Sequence, residues 1–163
     1  MSREPLVIGL ISDTHGLVRP EVATAFSDVA LILHAGDVGG PKVLEALLRI
    51  APVEAVYGNV DDPHDPALAR ERVMTLEGVT VHVSHGHETG RPTPDLLLAR
   101  YTHDVVVFGH THRAIVHGGG WRLCVNPGAA GPRRFDLWPT VARMTIEKGR
   151  ARVEIVPLIA HRS

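Results

Sequence analysis

The chain has 163 residues, of which 44% are hydrophobic and 21% charged, with a net charge of −1. This length fits one domain, spanning 1–163, with enough chain to bury a real core. Near-neutral charge argues against a globally basic nucleic-acid binder, a single cysteine (Cys124) excludes an intrachain disulfide framework, and no apolar run reaches the roughly 18 residues of a membrane-spanning helix.

Leu6–Ile11 is a continuous apolar run, the pattern of a strand buried on both faces. The apolar run before Asp13 is too short for a signal peptide, so the expected compartment is the cytoplasm. Pro20–Phe26 reads as a helix opened by proline, and Ala30–Ala35 as a second strand. Pro41–Ile50 carries a 3.6-residue apolar rhythm, and Val53–Tyr57 is a third strand. Strands alternating with helices predict βαβ units and a parallel sheet. Asp61–Ala69 breaks the rhythm with prolines and acids and reads as a surface loop. Arg72–Leu76 and Val79–Ser84 flank Glu77-Gly78 as a hairpin, then Pro94–Tyr101 forms a helix and Val105–Phe108 a strand. From there the pattern turns antiparallel: Ala114–Val116, Arg122–Val125, Val141–Ile146 and Arg152–Val156, with a closing hairpin over Lys148-Gly149. Two packed sheets with helices outside would hold all of it. Cys124, in WRLCVNPG, reads as a small buried hydrophobe.

Seven potential metal ligands lie where these strands stop: Asp13 and His15, Asp37, Asn59, His85, and His110 and His112. Ligands of open α/β sheets bind just past the carboxyl ends of strands. In extended backbone, residues i and i+2 point to one side, so Asp13 with His15, and His110 with His112, are expected to reach a common ion. Mixed Asp, His and Asn donors suit hard or borderline divalent cations. Each cluster alone has a plainer reading: Asp13 as a helix N-cap, Gly36-Asp37 and Gly58-Asn59 as turns, a lone histidine as a hydrogen-bonded loop residue. Their recurrence after strand upon strand points to one site. Of the eleven histidines, His64, His103 and His161 fall outside this pattern, and His161 is expected to be exposed.

The series Asp-x-His, Gly-Asp, Gly-Asn-x-Asp, His-Gly-His and Gly-His-Thr-His, from about Leu6 to Arg134, resembles the calcineurin-like metallophosphoesterase superfamily. It is most similar to the small bacterial and archaeal phosphodiesterases, a branch that includes the retromer subunit, which kept the fold as a scaffold. Asn126-Pro127-Gly128, followed by Pro132-Arg133, resembles a loop of the same branch. The resemblance implies an α/β fold, a two-sheet β-sandwich flanked by helices. It implies one metal held by Asp13, His15, Asp37 and His112 and a second by Asp37, Asn59, His85 and His110, with Asp37 bridging. Mn²⁺ is the first expectation, with Mg²⁺, Fe²⁺, Ni²⁺ or Zn²⁺ as alternatives. The implied reaction is hydrolysis of a small phosphodiester by a metal-bridging hydroxide. Phosphomonoesterase or nuclease activity, and a non-catalytic scaffold, are the alternatives, and a homo-oligomer is the default assembly.

One departure concerns the leaving group. Larger members carry histidine directly after the asparagine, where this chain has Val60, which cannot donate a proton. His87 is the nearest replacement in sequence, and substrates with good leaving groups are expected. Asp61 is expected to orient Asn59 or a histidine, and His34 to support or pack beside the site. Arg113, Arg133 and Arg134 could contact a phosphate, each being a solvated arginine in the plainer reading, while Asp62, Asp65 and Glu71 read as solvated loop charges.

Overall fold

The element order is β1 (Leu6–Ile11), α1 (Glu21–Ala25), β2 (Leu31–His34), α2 (Pro41–Leu48), β3 (Val53–Ala55), β4 (Glu71–Leu76), β5 (Val79–Ser84), α3 (Pro94–Arg100), β6 (Val105–Val107), β7 (Ile115–His117), β8 (Leu123–Asn126), β9 (Thr140–Glu147) and β10 (Arg150–Pro157). The computed structural model describes residues 4–119, 121–134 and 136–159; His161 lies outside them. Among the described residues no helix is long and apolar enough to cross a membrane.

Two mixed sheets of five strands result, in the orders β10-β9-β1-β2-β3 and β4-β5-β6-β8-β7. Each has a parallel centre (β1, β2, β3 in one; β5, β6, β8 in the other) with antiparallel strands added outside. The apolar runs follow from this layering, because successive side chains leave a strand on opposite faces. Ile8 and Leu10 of β1, Leu33 of β2 and Val105 and Val107 of β6 fill the layer between the sheets. Ile11 and Ile32 turn the other way, toward Val22 and Phe26 of the α1 region and Val43 and Leu47 of α2. Val106 and Cys124 turn outward beneath Leu97 of α3. Burial pushes the Cys124 thiol up to about 12, as befits a small core residue. This is the two-sheet sandwich flanked by helices expected from the sequence.

Differences are local. Helix α1 begins after Pro20, α2 ends at Leu48, and β3 stops at Ala55, after which a single parallel bridge joins Val56 to Ala69. The stretch 61–69 is turns, held by Asp62 and Asp65, which accept the backbone N–H groups of His64 and Ala67. Glu71 is not a loop charge. It opens β4, and its Oε2 lies 2.6 Å from Nε2 of the buried His82, whose ring stacks on Tyr101 at 3.7 Å. His103, read as outside any pattern, lies 5.2 Å from the same His82 ring.

Candidate metal centre

Parallel strands in both sheets deliver their carboxyl ends to one seam. Beyond β1 come Asp13 and His15, beyond β2 Asp37, beyond β3 Asn59, beyond β5 His85, and beyond β6 His110 and His112. The expectation of extended backbone at Asp13–His15 and His110–His112 is corrected. Asp13, His15, Asp37, His110 and His112 all have positive φ, at 54°, 45°, 54°, 70° and 62°. Left-handed backbone in non-glycine residues is strained and collects at functional sites. Here it turns the chain sharply beyond β1, β2 and β6, so that neighbouring side chains converge through tight turns instead of sharing one face of a strand. Asp13 caps no helix. Its Oδ2 accepts from Ser12 Oγ at 2.6 Å and from the His110 amide at 3.2 Å.

Those two bonds leave Asp13 Oδ1 buried with no hydrogen-bond partner, and His15 Nε2 is in the same condition. Around Asp13 Oδ1 stand His112 Nε2 at 3.2 Å, His15 Nε2 at 3.8 Å and His85 Nε2 at 4.0 Å. Asp37 Oδ2 lies 3.2 Å from His85 Nε2 and 3.8 Å from His15 Nε2. Asn59 Oδ1 faces His85 Nε2 at 3.0 Å and His110 Nδ1 at 3.1 Å. All seven side chains picked out in the sequence therefore meet in one cluster. Two triads, Asp13–His15–His112 and Asp13–Asp37–His85, have ligand atoms close enough to share a cation. An unpartnered buried carboxylate oxygen costs at least about 1–3 kcal/mol, and a cation placed among these donors relieves it. The residues fit a metal site.

Charge tuning agrees at His15 and Asp37. Burial pulls the His15 imidazole below its usual range despite the pull of Asp37 and Asp13, favouring the neutral ring a metal requires. Burial would raise Asp37, yet its bond to His85, the Val60 amide and the charge of His15 hold it down at about 2. Burial would lower His85, but Asp37 and Asp13 together raise it. His85 Nδ1 meets the Ala35 carbonyl at 2.8 Å, which directs Nε2 into the cluster.

Several supports were not legible in advance. Asp61 was expected to orient Asn59 or a histidine, and it bonds to backbone amides instead. Its carboxylate accepts the amides of Val38 (3.0 Å), Gly39 (3.1 Å) and Gly58 (2.9 Å), tying the turns after β2 and β3 together. Asn126, in the Asn-Pro-Gly loop, donates to Gly109 O and Thr111 Oγ1 at 3.0 Å each and so braces the turn carrying His110. The motif was visible, but its partners were not. His34 is fully buried between Thr14 Oγ1 and the Gly36 amide, the supporting place expected of it.

His87 sits in a 3-10 turn, His87–Thr89, with its ring 5.3 Å from His85 and 6.4 Å from His110. Burial and the His85 charge pull it below the usual imidazole range. Arg134 acts electrostatically on His15, Arg133 lies over the Trp138 ring at 4.2 Å, and Arg113 lines a pocket beside His112.

The model of the calcineurin-like phosphoesterase superfamily domain matches residues 6–149. A probable metallophosphoesterase of Methanothermobacter thermautotrophicus is 37% identical over 169 aligned positions, covering 93% of this chain and 92% of that one. Among solved structures, Vps29 of Chaetomium thermophilum superposes with a TM-score of 0.77 at 20% identity, over 92% of this chain and 95% of that one. A novel archaeal phosphodiesterase gives 0.73 at 23% identity, over 93% and 100%. Vps29 of Entamoeba histolytica complexed with zinc gives 0.73 at 18% identity, over 94% and 100%.

Proposed function

Because the chain belongs to the calcineurin-like phosphoesterase superfamily, we propose that it is a dinuclear-metal phosphodiesterase acting on a small phosphodiester. The observation that carries this reading is the buried, unpartnered Asp13 Oδ1 and His15 Nε2, surrounded by the imidazoles and carboxylate of one converging donor set. Asp13, His15, Asp37 and His112 would hold one ion, and Asp37, Asn59, His85 and His110 the other. Asp37 suits the shared position, since its Oδ2 approaches one imidazole of each group while the Val60 amide occupies its Oδ1. Mn²⁺ is the ion proposed first, and zinc in one Vps29 relative is a precedent for the fold. Bound divalent ions would acidify water and neutralise charge on the phosphate oxygens.

The chain's own groups set what else the site can do. Val60 is exposed and offers only its amide, already bonded to Asp37. His87 stands next to the centre, but its lowered pKa favours the neutral ring at neutral pH. Proton donation to a departing alkoxide is therefore weak, and diesters with acidic leaving groups are the favoured class. Arg134, whose charge reaches His15, and Arg113, in the pocket lining with His112, would attract phosphate oxygens.

Hydrolysis of bis-p-nitrophenyl phosphate tests the reading with metal-stripped protein, Mn²⁺-loaded protein and Asp37→Ala. Turnover is expected only with added metal and is expected to disappear in the variant. Folded protein loaded with two ions that turns over nothing would transfer the chain to the scaffold role.

A further inference from the structure

A pocket of about 600 Å³ opens directly off the candidate metal centre, with His112 common to both. Its buried floor includes Phe108, and its walls include Ile115, Leu137 and Trp138, with Arg113 at the side. None of the apolar residues has a part in the hydrolysis proposed above. Trp138 is 59% exposed, and Ile115, in the edge strand β7, is 37% exposed. Large apolar groups gathered in water beside a polar centre mark a binding surface more often than an accident of folding.

Trp138 also has a cation against it. The Arg133 guanidinium lies over its ring at 4.2 Å, and Arg133 takes no part in lining the pocket. The cation thus attracts the indole while the ring also contributes to the pocket lining. The charged groups in the lining, Arg113 and Asp136, are opposite in sign, so the interior is not built to select a net charge. A flat apolar group satisfies these walls. The volume exceeds what one phenyl ring needs and falls in the range, about 300–1,000 Å³, of pockets that enclose a whole small ligand.

We infer that this pocket receives one ester arm of the substrate and selects a flat, uncharged aromatic group of nucleoside size, stacked against Trp138. The geometry follows from the shared His112: a phosphate drawn to the centre has the pocket mouth beside it, and one of its two arms is led inside. The orientation of that arm rests on the phosphodiesterase reading, whereas the affinity of the pocket for a ring does not.

Calorimetry on the Mn²⁺-loaded protein tests it with thymidine 5′-monophosphate and methyl phosphate, which present the same phosphate and differ in the arm. Stacking a base on an aromatic side chain corresponds to roughly fivefold or more in affinity, so the thymidine ligand is expected to bind at least about fivefold tighter. Trp138→Ala is expected to bring the two ligands to near parity, and Trp138→Phe to keep most of the preference. Equal affinities on the wild-type protein, or a preference that survives Trp138→Ala, would overturn the inference. Turnover of bis-p-nitrophenyl phosphate by the same preparation separates the two readings. Preference without turnover keeps the pocket and removes the hydrolase; turnover without preference does the reverse.

Discussion

Gly58→Ala is expected to remove metal-dependent hydrolysis about as completely as loss of a ligand, although Gly58 touches no metal. A methyl group there would overlap the Oδ1 and amide nitrogen of Asp37 and crowd its Cγ at 2.7 Å. The φ of Gly58 is not in the left-handed region, so the conflict is one of space alone. Asp37 cannot yield cheaply, because its carboxylate is gripped by the Val60 amide at 3.1 Å and stands against His85 at 3.2 Å. Gly58 cannot yield either, since Asp61 holds its amide at 2.9 Å. Something must shift by a good fraction of an ångström, and a displacement of about 1 Å in a reacting site can cost about 100-fold in rate. Overpacking of this kind destabilises by about 1–3 kcal/mol, which leaves room for the variant to fold. The measurement pairs Mn²⁺ titration calorimetry with bis-p-nitrophenyl phosphate hydrolysis. Gly119→Ala, where an added methyl meets nothing, serves as the control. Wild-type Mn²⁺ affinity in Gly58→Ala would show that Asp37 does not bind in the position proposed.

The layered fold was legible because burial writes itself into composition. Ile8, Leu10 and Ile11 are apolar in succession since both faces of β1 are covered, and no nearby residue had to be known to see it. The seven clustered side chains were legible for a related reason. Each stands a few residues past an apolar run, and the parallel topology carries all those ends to one seam. The backbone that aims them was not legible. Positive φ at Asp13, His15, Asp37, His110 and His112 is a property of the turns these residues are forced into by long-range bonds, such as Asp13 N to Gly36 O and His15 N to Asp37 O, at 3.0 Å each. Asp61 illustrates the same limit. Its place two residues past Asn59 suggested a side-chain partner, while its three amide partners lie on two different turns. The Glu71–His82–Tyr101 contact was hidden in part, because the hairpin that brings Glu71 to His82 was legible but the packing of Tyr101, just past α3, against it was not.

His34 gives the second large effect, and it concerns stability in acid. The residue is fully buried, and its two nitrogens are already committed. The Gly36 amide donates to Nδ1 at 3.1 Å, so Nδ1 must be unprotonated; Nε2–H then points at Thr14 Oγ1 at 2.9 Å, and Thr14 in turn donates to the Val38 carbonyl at 2.8 Å. Protonating Nδ1 would set one donor against another in a dry interior. Burial accordingly pulls the pKa from 6.5 down to about 4, against the opposing charges of Asp13 and Asp61. In the unfolded chain the imidazole titrates near 6.5. Between those two values the unfolded state takes up a proton that the folded state refuses, so stability falls as pH falls through this window and is fully present above it. With a shift of this size the loss comes to about 3 kcal/mol by pH 4, at roughly 1.4 kcal/mol per pKa unit. Urea unfolding in EDTA at pH 7, 5.5 and 4.5 measures it, with His34→Gln as the reference that cannot titrate. The variant is expected to be less stable at pH 7, having lost the bridge between the turns after β1 and β2, and to lose less stability on acidification. Parallel pH profiles for the two proteins would mean that His34 accepts its proton in the folded state and that the Gly36–His34–Thr14–Val38 chain is not what holds these turns together.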